Sequence, residues 1–356
     1  MNIEKELQKE QIEVIEELSI LRVNQIARNT ANILCKTFPN YGLNESSIFI
    51  KLAKLHMYRA NMREGMSEAV YYYKNSSIYF NSNIDVSALE EFAIHECIHN
   101  IQEVKDDLDN LTKMGLSRYK KYKILGLGIN EAAVQLMTVK TLALPIEYVK
   151  YYGLKFESLS PTYYPLECQL INLLSFLVGE DILFKSTLFS TDDFKNTLIS
   201  LTSKNTFAII EKSFDELLDD EESLLTTTFI SKGKNKKGQN SREDIKEKIK
   251  INFLRTQNLI LYSYFTTQFK NIKTLEELEG YRRKLSSTYK YLATSDGYTY
   301  FDSFYAETIN KLEHLYSVLE NNGIETAVDI PHKRSLLQTL LHKIHKLISN
   351  KSTQNI

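Results

Sequence analysis

Tryptophan is missing from this 356-residue chain, and proline (5), glycine (12) and cysteine (3) are all scarce. So few helix breakers favour a helix-rich fold over a turn-rich one. Cys35, Cys97 and Cys168 are too few, and odd in number, for a disulfide framework, and they fit a reducing compartment. Neither sign of charge dominates: 44 basic residues face 45 acidic ones, a net charge of -1, so nothing selects a polyanion and no nucleic-acid partner is expected. No long apolar run exists either. The most apolar stretch, 171–179, contains Asn172 and Ser175 and is far too short to span a bilayer, so no transmembrane segment is expected. The first six residues are rich in Glu and Lys and carry no apolar signal core, which makes a cytoplasmic location the expectation.

What remains is an ordinary globular composition, 43% apolar and 25% charged, with enough length for two or three domains. Four regions are expected. Residues 1–68 form an N-terminal helical region, with helices over 1–36 and 47–62 separated by the turn Pro39-Asn40-Tyr41-Gly42. Residues 69–228 form the chemistry-bearing core. Residues 229–241 are a Lys- and Gly-rich linker, and 242–356 form a C-terminal region of four amphipathic helices. The last of these, 333–348, has Leu336, Leu337, Leu340, Leu341 and Ile344 on one side and lysines on others. It is expected to dock on neighbouring helices, with a partner groove or a membrane surface as the alternative. The acidic patch Asp219-Asp220-Glu221-Glu222 reads as solvated surface.

At residue 69 the period changes. Ala69-Val70-Tyr71-Tyr72-Tyr73 and Ile78-Tyr79-Phe80 flank Asn75-Ser76-Ser77, which predicts a hairpin. If 78–80 is an exposed edge, it can take up an extended peptide by strand addition; otherwise it is an ordinary sheet strand. A helix follows, with its start expected near Asp85 or Ser87 and a Ser87/Glu90 capping box. It is apolar on nearly every side and should be buried.

On that helix stands His95-Glu96-Cys97-Ile98-His99. Histidines four apart lie one turn above each other on one face. This HExxH arrangement lets two imidazoles hold zinc while the glutamate handles a proton of an attacking water. Cys97, two residues from each histidine, points to the opposite side and is no ligand. Thirty-one residues after His99 comes Asn130-Glu131-Ala132-Ala133, with Asn130 as the expected N-cap of a second helix.

Together, His95-Glu96-x-x-His99 and Asn130-Glu131 resemble the gluzincins, zinc metallopeptidases whose third ligand is a glutamate on a downstream helix. The resemblance covers roughly 70–180. It implies zinc held by His95, His99 and Glu131, with Glu96 as general base and a peptide or protein as substrate. It also implies an α+β, mostly α fold: a zincin-like core with a small β-hairpin or sheet and extra helical regions. In one place the chain departs from the family. Where many gluzincins carry an aspartate that orients a zinc-bound histidine, this chain has Gln135, an amide that can still accept an imidazole N–H but adds no charge.

Attack on a peptide carbonyl also needs a donor for the oxyanion. Tyr164, in the segment Thr162-Tyr163-Tyr164-Pro165, is the first choice and Tyr163 the second, with Tyr119 and Tyr122 as further candidates. Three other readings stay open: a zincin fold that binds but does not turn over, a zinc amidohydrolase acting on a non-peptide amide, and a helical interaction protein with a chance motif. His56, His314 and His332 lack ligand spacing, and His342 and His345 read as part of a solvated basic face.

Overall fold

A computed structural model describes residues 3–62, 68–120, 123–230, 242–293 and 298–321. The fold is α+β and mostly helical. Residues 231–241 of the expected linker 229–241 lie outside the described residues, as do Tyr122, His332, His342, His345 and the amphipathic stretch 333–348, while 229–230 are helical.

The expected hairpin forms. Strands β3 (Ala69–Tyr72) and β4 (Ser77–Asn81) pair antiparallel with Tyr71 opposite Ile78. The sheet is larger than the hairpin. It also contains β1 (Glu13–Glu17) and β2 (His56–Asn61), in the order β1-β2-β4-β3. The helices expected over 1–36 and 47–62 are therefore each cut short. Helix α1 is Ile3–Lys9, α2 is Ile20–Thr37 and α3 is Glu45–Leu52, with strands in between or after. Gln11, at a left-handed φ of 57°, breaks the chain away from α1. Every residue of β1 is exposed, so it is held by backbone pairing to β2 and shows no apolar period.

Residues 78–80 are not an edge. β4 lies between β2 and β3 and all five of its residues are buried. Ile78 and Phe80 enter the core shared with α2, while Tyr79 packs on Leu7 and Ile12 on the other face. Burial on both faces explains the continuous apolar run. The edge strand on this side is β3.

Helix α4 (Leu89–Gln102) follows a short 3-10 turn capped by Asp85. Ser87 and Glu90 do not form a capping box: Ser87 lies in that turn, and Glu90 takes Arg22 and Asn29 of α2 instead. Two features went unforeseen. A meander of β5 (Glu103–Lys105), β6 (Leu111–Met114), β7 (Ser117–Lys120) and β8 (Lys123–Leu125) leads to α5 (Leu127–Thr141). A hairpin of β9 (Glu147–Tyr151) and β10 (Leu154–Ser158) precedes α6 (Pro165–Val178).

The cap of α5 is Gly126, not Asn130, which sits inside the helix and accepts the Leu116 N–H. Helices α7 (Glu180–Phe189), α8 (Asp193–Leu201) and α9 (Lys204–Ile230) complete the middle of the chain. Beyond them come α10 (Arg242–Lys270), α11 (Leu275–Leu292), started by a Thr274/Glu277 capping box, and α12 (Tyr298–Asn321). One buried cluster joins Ile94 and Ile98 of α4, Leu136 of α5 and Leu170 of α6 to Phe214, Phe253, Phe265 and Leu285. Among the described residues no helix is long and apolar enough to cross a membrane.

Candidate metal centre

The site is made where α4 and α5 pack together. Helix α4 is buried on most sides, as its composition demands. His95, at 12% side-chain exposure, and His99, at 5%, face Glu131 of α5. His95 Nε2 lies 3.0 Å from His99 Nε2, and Glu131 Oε2 lies 3.2 Å and 3.4 Å from the two nitrogens. Three ligand-type atoms from two helices thus converge on one point, and among the described residues this is the only group of three or more such side chains that does so.

Do these residues fit zinc? Tetrahedral ligands at about 2.0–2.1 Å from an ion stand roughly 3.3–3.4 Å apart, close to the spacing found. The protons fit too. Ser160 Oγ gives its hydrogen to the Tyr163 carbonyl, so it accepts from Gln135 Nε2 (3.0 Å). That fixes the Gln135 oxygen toward His95 Nδ1, 2.9 Å away. Nδ1 therefore carries the hydrogen, and the Nε2 lone pair points at the shared centre. Gln135 thus orients His95 through a neutral carbonyl. Burial alone would raise the Glu131 pKa, but the facing His99 and His95 win and hold it well below the usual carboxylate range. Burial likewise opposes charge on His99, yet Glu131 raises it to about 9. The trio is built around compensating charge, and a divalent cation would replace the imidazolium proton there.

Glu96 is 9% exposed, and its Oε2 accepts the backbone N–H of Tyr71 on β3 at 2.7 Å. The edge strand therefore holds the glutamate in place. Tyr164 stacks near His95, with ring centroids 6.3 Å apart and planes at 29°. It stands before Pro165 with φ 50°, a left-handed backbone that costs a bulky residue free energy and aims its ring at the site. Burial, then Glu131 and Glu96, raise its pKa well above 10, so its hydroxyl keeps its hydrogen.

Tyr163 turns elsewhere: its hydroxyl bonds Glu68 and its ring meets Phe92 edge-on at 6.3 Å. Tyr119 is closer to the trio than its place in the meander implied. Burial and the neighbouring Glu131 raise its pKa, and its ring meets Tyr73 at 5.4 Å. Cys97 is buried toward α2, away from the trio. His56 pairs with Glu17 at 2.9 Å on the surface, and His314 is exposed.

Two supporting residues escaped the sequence reading. Tyr71 contributes a backbone amide, which no motif encodes. Asp215 of α9 accepts the N–H groups of Gly126 (3.0 Å) and Gly128 (2.9 Å) and so anchors the start of α5; a separation of 87 residues leaves no local signal.

No protein-family model, curated protein or solved structure matches the chain. What this site can do follows from its own side chains.

Proposed function

We propose that the protein is a zinc metallopeptidase of gluzincin type, hydrolysing peptide bonds in a zincin-like core. The observation that carries this reading is the convergence of His95, His99 and Glu131 within 3.0–3.4 Å, with Glu96 one residue from the first ligand. A zinc ion held there supplies the Lewis acidity that polarises a carbonyl and makes water nucleophilic near neutral pH.

The rest is the work of the chain. Glu96 takes the proton of the attacking water on Oε1, because Oε2 is fixed on the Tyr71 amide, and returns it to the leaving amine. Tyr164 donates its hydroxyl hydrogen to the carbonyl oxygen as charge builds there. Gln135 keeps His95 in the tautomer and orientation that ligation needs. Glycoside hydrolysis would call for a pair of carboxylates across the scissile bond, and Glu131 and Glu96 are committed to other tasks.

The test is a broad peptide-library digest with the wild type and with Glu96→Gln. Both proteins should bind zinc, and only the wild type should cleave. Metal-loaded wild type that cleaves no peptide but opens a non-peptide amide points to an amidohydrolase. Metal-loaded wild type that cleaves neither points to a binding protein.

A further inference from the structure

We propose that the ligand trio acts on polypeptides with apolar or aromatic side chains on both sides of the cleaved bond. One would be received by Phe92 and Tyr163 and the other by Tyr73 and Tyr119. This inference rests on the peptidase reading above.

Strand β3 packs against α4, and its contacts fall at three places. At the start of β3, Glu68 accepts the Tyr163 hydroxyl, and the Tyr163 ring meets Phe92, one turn ahead of His95 and Glu96 on α4. In the middle, the Tyr71 amide holds Glu96. At the far end the Tyr71 hydroxyl donates to Glu103 at 2.8 Å, and Tyr73 meets Tyr119, whose hydroxyl lies within reach of the Glu131 charge. An aromatic pair therefore stands at each end of the line of ligands.

All four rings are half-buried, unlike the fully buried Tyr79 and Phe80 of the same sheet. They are packed on one side and keep surface for a partner. Charge is not what these ends offer. Glu68 is bonded by Tyr163, and Glu103 by Tyr71 and by Lys105 at 3.7 Å.

The experiment profiles cleavage by the zinc-loaded full chain on peptides varied at each flanking position. Phe, Tyr, Leu and Met should be enriched on both sides. Phe92→Ala should lower kcat/KM for aromatic over alanine at one side about tenfold and leave the other side's preference intact. Tyr73→Ala should do the same on the opposite side. Phe92→Leu keeps the packing volume and should keep an aliphatic preference.

A second arm reads binding without turnover. The chain has no tryptophan, so the fluorescence of a blocked Trp-containing peptide reports its binding to zinc-loaded Glu96→Gln alone. An alanine peptide should compete about tenfold less well. Cleavage by the wild type with no side-chain preference, or with preferences untouched by both alanine variants, overturns the inference and leaves the peptidase reading standing. Selective binding by Glu96→Gln with no cleavage by the wild type sustains the inference and overturns hydrolysis. Neither binding nor cleavage overturns both.

Discussion

Gln135 holds His95 through a neutral carbonyl, and Ser160 fixes which way that amide faces. Gln135→Ala should weaken zinc binding about 10- to 100-fold, read by competition with a chromophoric chelator, while Gln135→Glu keeps an acceptor and should retain the metal. Tyr164→Phe removes one hydroxyl; kcat should fall about 10²–10³-fold with zinc content unchanged. An undiminished kcat would move the oxyanion role to Tyr119, the other tyrosine whose pKa the Glu131 charge raises. The pairing of His95 and His99 was legible in the sequence because residues four apart share one helix face, and Glu131 because it follows on the next helix. The roles of the tyrosines were not. With 22 of them in the chain, only the turn that aims Tyr164 and the bond that diverts Tyr163 separate one from another.

The element that carries Glu131 is positioned from far along the chain. Asp215 closes the start of α5 through two backbone N–H groups, and Gly128 lets α5 approach α9 so closely that a Cβ there would lie 2.3 Å from the Phe214 carbonyl oxygen. Gly128→Ala should destabilise the fold by about 1–3 kcal/mol, seen as a lower denaturant midpoint, and weaken zinc binding as α5 shifts. Asp215→Ala leaves two helix-terminal donors unpaired and should act in the same direction by about 1–3 kcal/mol. A Gly128→Ala protein of unchanged stability would mean the two helices have room to move apart. Helices were the readable elements, α4 above all, because its apolar residues and its histidine pair follow the helical period. The meander and β1 were not, because short, mostly exposed strands carry no alternation and owe their existence to backbone pairing.

Across the whole molecule the apolar core runs from α4 to α12, so the site helices and the C-terminal helices share one buried cluster. The acidic patch, expected to be solvated, is divided by this packing. Asp219 and Glu222 are exposed, Asp220 is buried against Lys248 of α10 at 2.6 Å, and Glu221 is buried near Glu167. Neither oxygen of Glu167 has a hydrogen-bond partner among the described residues, and burial pushes its carboxyl up to about 7; burial and Glu167 push Glu221 up as well. A raised carboxyl means the folded state holds protons that the unfolded chain releases. Stability should therefore be greatest below about pH 4.5 as far as this pair is concerned, and fall as pH rises toward 7. Glu167→Gln should flatten that decline and raise Tm at pH 8, with roughly 2–4 °C for each kcal/mol recovered; an unaltered pH profile would show that the pair is not strained. The account as a whole turns on one shared ion between α4 and α5. Metal analysis of the purified chain beside His95→Ala and Glu131→Ala tests that directly. One zinc per wild-type chain, lost from both folded variants, is the expected result; a wild type that binds no zinc, or variants that keep it, would contradict the account.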